Sequence, residues 1–163
     1  MMGSRSIGIA GKVKKPFQFR VYPEKRGGEY YACIIFPIRE AMLAYDDEQR
    51  KLLKYPHRVP SEEHKAQVRS WTAIKTDALG RFSHRGRSLG EIHFFLGGMG
   101  VGVVAHEAAH ATLFWARKGK IPASRLYSHR GDQDSLHEKF CWVLGNINRQ
   151  IWNGYYRMKK KKT

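Results

Sequence analysis

Phe17-Gln18-Phe19-Arg20-Val21-Tyr22 alternates apolar and polar side chains with the period of a half-buried strand, and Tyr30 to Phe36 is an apolar run of strand length. Gly27-Gly28 lies between them as a turn, so the two segments predict a hairpin. Pro37 suits a first helical turn, and Ile38, Ala41, Met42 and Tyr45 follow at helical spacing; a helix starts here and fades through Asp46 to Lys51. Pro56 and Pro60 break the pattern, Ser61-Glu62-Glu63 suits a short helical piece, and Val68 to Thr76 reads as a strand. Arg81-Phe82-Ser83-His84 and Glu91-Ile92-His93-Phe94-Phe95-Leu96 bracket a Gly/Arg turn and predict a second hairpin. The glycines of Gly97 to Gly102 miss the spacing of a dinucleotide-binding loop, which leaves a flexible turn.

Two helices close the chain. Val101, Val103, Val104 and Ala105, continued by Ala111, Leu113, Phe114 and Trp115, predict a buried helix ended by Arg117-Lys118-Gly119-Lys120 and Pro122. Leu136, Phe140, Val143, Leu144, Ile147 and Ile151 form the apolar stripe of a helix from about Ser135 to Trp152. The expected fold class is α+β: a loose basic arm over residues 1–16, one domain over 17–157, and a disordered lysine-rich tail over 158–163.

A length of 163 residues suffices for one proper core and not for two. The formal net charge of +16 exceeds what solubility needs and favours an anionic partner, nucleic acid or an acidic protein surface. Cys33 and Cys141 are the only cysteines, so neither a disulfide framework nor a paired-cysteine metal site is indicated. No apolar run reaches the ~18 residues of a membrane span, and no secretory signal is evident; a soluble cytoplasmic protein without a membrane partner is expected.

His106-Glu107-Ala108-Ala109-His110 changes the picture most. In this HExxH pattern, helical positions four apart share a face, so His106 and His110 can grip one zinc ion while Glu107 reaches the water beside it. Packing histidines are the plainer alternative, but burying two imidazoles and a carboxylate unpaired costs on the order of a few kcal/mol, which a cation would offset. Catalytic zinc takes three protein ligands and leaves one position open, so one more donor is needed. Glu138, His129 and His137 lie downstream. Small residues Cys141 and Gly145, set against Ala105, Ala108 and Ala109, would let the two helices approach and bring Glu138 to the ion. His129, in the loop-like Ser128-His129-Arg130-Gly131-Asp132, is the alternative, and Asp134 suits a helix N-cap or an outer partner of a ligand.

Leu89 to Phe94, Val103 to Ala111 and Glu138 to Gly145 together resemble small HExxH proteins of bacteriophages and prophages, regarded as metallopeptidases. More broadly they are similar to small gluzincins. That resemblance implies zinc held by His106, His110 and Glu138, with Glu107 as general base, in a zincin-like domain whose edge strand, here Glu91 to Leu96, precedes the active helix and pairs with an extended peptide. A host cytoplasm is the location it implies. No residue is assignable as oxyanion stabiliser, with Tyr127, Tyr155 and Tyr156 as the available tyrosines. A weaker likeness joins the chain to SprT-type DNA-associated proteases, for which His129 would be the third ligand.

The expected function is therefore a zinc-dependent metallopeptidase acting on a peptide or protein. The alternative is a basic nucleic-acid-binding or host-interaction protein with a structural or vestigial metal, in which Tyr30, Tyr31, Trp71 and Phe82 add stacking.

Overall fold

In a computed structural model of the chain, residues 15–53, 66–70, 75–76, 82–83, 87–121 and 134–161 are described. They form a small α+β domain in which a four-stranded sheet lies between one helix and two. Strand β1 (Phe17–Val21) pairs antiparallel with β2 (Tyr30–Phe36) as the hairpin pattern predicts, and Gly27 takes a φ of 87° in the connecting turn. Helix α1 (Arg39–Leu53) follows. After it come β3 (Ala66–Ser70), the two-residue strands β4 (Lys75–Thr76) and β5 (Phe82–Ser83), which pair with each other, and β6 (Ser88–Phe95).

The sheet order is β1-β2-β6-β3, with β2 and β6 parallel and β3 antiparallel to β6. This corrects two expectations. Phe82–Ser83 pairs with Lys75–Thr76 and not with the 91–96 segment, so the second hairpin does not form. Nor is the 91–96 segment an edge strand: it occupies the interior between β2 and β3. The reason lies in its composition. Leu89, Ile92 and Phe94 are buried on one face and His93 on the other, and a strand covered on both faces belongs inside a sheet. The short β1 and β3, with polar residues at alternate positions, take the edges.

Where β6 enters the sheet, the register slips between Tyr30 and Tyr31, and Gly90 takes a φ of 151°. A bulge of this kind requires a backbone conformation that side-chain-bearing residues rarely adopt.

Helix α2 (Val101–Trp115), after a short 3-10 turn (Leu96–Gly98), and helix α3 (Asp134–Lys160) pack on the face carrying Val21, Tyr31, Cys33, Ile35, Ile92 and Phe94. Helix α1 covers the opposite face, where Ile34 and Phe36 meet Met42. A wider π-type turn (Ala116–Lys120) ends α2 at the basic stretch that predicts its stop. Tyr31, wholly buried, donates its hydroxyl hydrogen bond to the Ala111 carbonyl at 2.7 Å and ties α2 to the central strand. Burial, and next the Glu29 charge, push that phenol well up, so it stays a neutral donor.

Helix α3 is longer than its predicted span. Val143, Ile147, Ile151, Gly154 and Met158 extend the buried stripe past Trp152, and Met158 is 5% exposed, so residues 158–160 are helix and not a loose tail. Gly154 is needed where α3 crosses β1, since a side chain there would run into the Phe19 ring. Gln150 clamps the same junction: its amide donates to the Tyr22 carbonyl at 2.8 Å and accepts from the Tyr22 N–H at 3.1 Å. The arm over 1–14 lies outside the described residues, as does most of the segment between α1 and β6. Among the described residues no helix is long and apolar enough to cross a membrane.

Replacing Tyr31 by Phe removes the tie to α2 while keeping the ring. Because the Ala111 carbonyl also serves the helix, the expected loss is about 1 kcal/mol, read as a fall in melting temperature of roughly 2–4 °C for a chain of this size.

Candidate metal centre on helix α2

Helix α2 carries the strongest helix former, alanine, at 105, 108, 109 and 111. Val104, Ala108, Ala111 and Trp115 recur at helical spacing and face the sheet, all fully buried. That seating decides where the HExxH side chains go. His106 and His110 emerge on the exposed side, one turn apart, whereas Glu107 turns inward and is 7% exposed.

The imidazoles converge. Their Nε2 atoms are 3.0 Å apart and their rings meet edge to face, centroids 4.6 Å apart at 84°. The two rings share a hydrogen bond here, and their nitrogen separation is close to the roughly 3.3 Å of two nitrogens bound to one tetrahedral zinc at about 2.0–2.1 Å. Phe114 stacks on His110 from the next turn, with centroids 6.3 Å apart at 22°. Desolvation first, and then the neighbouring His106, lower the pKa of His110 and favour the neutral ring that ligation requires.

Glu107 lies beside this pair with its pKa raised by burial, an effect the His106 charge partly opposes. Among the described residues nothing hydrogen-bonds its carboxyl group. A carboxyl group so placed holds a proton more readily than an ordinary exposed one, which suits it to proton transfer.

The remaining expected ligand is elsewhere. Glu138 is exposed on α3, on the same outward face as Cys141 and Gly145, both exposed as well; nothing would lie within 4 Å of a side chain added at Gly145. The predicted close approach of that face to α2 therefore does not occur, because the Val143-Ile147-Ile151 stripe turns the opposite side of α3 to the core. His137 is exposed on α3. Among the described residues no group of three His, Cys, Asp or Glu side chains is placed to hold a metal ion. His129 lies outside the described residues. Helix α3 starts at Asp134.

Sequence reasoning missed a second polar cluster. His93, fully buried, is 2.9 Å from Glu91 Oε2, and the Tyr45 hydroxyl donates to Glu91 Oε1 at 3.2 Å. The His93 ring also packs edge-on to Phe36 and Tyr45. The alternation of Glu91 and His93 with Ile92 was its available signal. These residues face α1, across the sheet from α2, so they satisfy one another and do not reach the HExxH pair. Buried Cys33 is inert for the same kind of reason: burial pushes its thiol far up.

Comparison of the chain with protein-family models, curated proteins and solved structures gives no match.

The raised pKa of Glu107 has a stability consequence for the metal-free protein. Between the ordinary carboxyl value of 4.5 and the higher folded value, the native state holds more protons than the unfolded one, so stability falls as pH rises through that window. Glu107→Gln removes the buried charge. It is expected to raise the melting temperature of chelator-treated protein by roughly 2–4 °C at pH 7.5, about 1 kcal/mol, with the gain vanishing as pH approaches 4.5. A pH series of thermal melts checks both signs.

Proposed function

We propose that this protein is a zinc-dependent hydrolase cleaving peptide bonds, with its centre on α2. The observation that carries the reading is the convergence of the His106 and His110 Nε2 atoms, 3.0 Å apart, beside a buried Glu107 with no hydrogen-bond partner among the described residues. Two imidazoles meeting at one point on an exposed helix face, with a desolvated carboxyl group one residue away, suit metal-assisted hydrolysis better than structural packing.

Zinc, when bound, supplies a Lewis acid that acidifies a water molecule and offsets negative charge developing on a carbonyl oxygen. The chain's own residues do the rest. His106 and His110 supply the ligating nitrogens, and the lowered pKa of His110 favours the neutral form of its ring. Glu107 accepts a proton from the attacking water and returns it to the departing amine; its raised pKa brings proton affinity and working pH closer together.

The third ligand is His129 on this reading, since Glu138 stands on the outward face of α3. A zincin-like architecture accords with it: the metal helix packs beside β3, an antiparallel strand at the end of the sheet, where an extended peptide could add as a further strand.

Metal analysis and peptidase assays on variants test this. Wild-type protein should bind about one zinc per chain, as a three-ligand site with one open position requires. Glu107→Gln should retain the zinc and lose at least about a hundredfold in turnover, the scale of general-base catalysis. His106→Ala and His129→Ala should lose the metal, and Glu138→Ala should keep both zinc and activity. Wild-type protein that takes up no stoichiometric zinc would overturn the reading; loss of zinc in Glu138→Ala alone would overturn the assignment of His129.

A further inference from the structure

We propose that a groove between β1 and the C-terminal half of α3 binds the phosphate backbone of single-stranded nucleic acid. Two adjoining hollows of about 510 and 430 Å³ share Arg20, Gln150, Asn153 and Arg157 and form one continuous surface. It runs along α3 from Asn146 to Lys160, about 21 Å at the helical rise per residue. That length accommodates at most about six nucleotides, the number reached at the fully stacked spacing of roughly 3.4 Å per phosphate, and fewer of an extended strand.

The polar groups of the groove divide into two sets. Gln150 and Asn146 are engaged with the β1 end of the fold: besides the Gln150 clamp, the Asn146 amide donates to the carbonyls of Tyr22 and Pro23 at 3.0 and 3.1 Å. They build the wall. Arg20, Arg26, Arg149 and Arg157 are different, for among the described residues no carboxylate pairs with any of them. The Arg20 guanidinium lies 4.5 Å over the Tyr30 ring, and Arg149 donates to the Asn146 side-chain oxygen Oδ1 at 3.0 Å. Among the described residues the only carboxylate lining the groove, Glu24, is 3.0 Å from Lys139. A row of cations thus faces one trough with its single opposing charge already neutralised.

Charge alone would suit any polyanion; Tyr156 narrows the choice. It lines the groove, is 56% exposed, and is backed by Trp152 and Tyr155, with centroids 6.0 and 5.5 Å away. An exposed aromatic face propped by other rings and flanked by Arg157 and Lys160 is a stacking platform for an unpaired base. A duplex keeps its base faces covered. An acidic protein would gain the charge contacts but leave this ring without a stacking partner. The groove shares no residue with the HExxH site, and the inference does not rest on that reading.

Fluorescence anisotropy of the full chain with a short labelled oligothymidylate, titrated with salt from about 50 to 200 mM, tests it. Four phosphate contacts should give a log-log slope near −3, from about −0.7 per contact on a single strand. Arg149→Ala/Arg157→Ala should halve that slope and weaken binding at least about tenfold at low salt. Arg149→Lys/Arg157→Lys should keep the slope, and unchanged melting temperatures should show the fold intact. Tyr156→Ala should weaken binding by about five- to a hundredfold with the slope unaltered. The proposal is overturned if the double alanine variant binds like wild type, or if binding is lost only in Lys161→Ala/Lys162→Ala, which would assign it to the tail. Equal affinity for a duplex or an acidic peptide, with Tyr156→Ala neutral, would overturn it as well.

Discussion

The apolar face of α2, seated on the sheet through Val104, Ala108, Ala111 and Trp115, sets the direction of His106, Glu107 and His110. A helix has one rotational freedom about its axis, and burial of those four residues removes it. His106 and His110 then face outward together, and Glu107, about 100° from His106 around the axis, is drawn inward. The Tyr31 hydroxyl on the Ala111 carbonyl fixes the helix along its length, one residue beyond His110. Had the helix settled a step round, an imidazole would be buried and the carboxylate exposed, and neither would suit the chemistry proposed for them.

The sheet that supports this seating is itself held by its two central strands. Neighbouring β2 and β6 are parallel, so the chain must cross from one end of the sheet to the other between them, and α1 covers the face that the other helices leave open. On that face the chain buries a histidine against a half-buried carboxyl group that also accepts from the Tyr45 hydroxyl. A buried polar pair is tolerable only with such internal satisfaction, and that requirement links α1 to β6 as specifically as apolar packing does.

Helix α3 has two jobs that follow from its two sides. Its inner stripe completes the core as far as Met158, and its polar flank grips the end of β1 through Gln150 and Asn146. The same geometry that docks the helix leaves Arg149, Tyr156 and Arg157 along the outer wall of the groove. The proposed hydrolytic centre on α2 and the proposed polyanion groove on β1 and α3 use different residues of one domain, and the net charge of +16 suits the second.

Local periodicity was enough to read the first hairpin, the start of α1, the extent of α2 and the stripe of α3, because each of these depends on residues close together in the chain. The HExxH pair was legible for the same reason: residues four apart on a helix must be neighbours. The sequence also showed that charge far exceeds need, but not where arginines from β1 and α3 would line one trough. Three further matters belonged to the tertiary structure alone. Strand β6 lies inside the sheet, His93 and Glu91 find each other beneath Tyr45, and α3 turns Glu138 away from α2. Each is settled by competition between distant segments for the same buried surface, and a linear pattern states that an apolar face will be covered without stating by what.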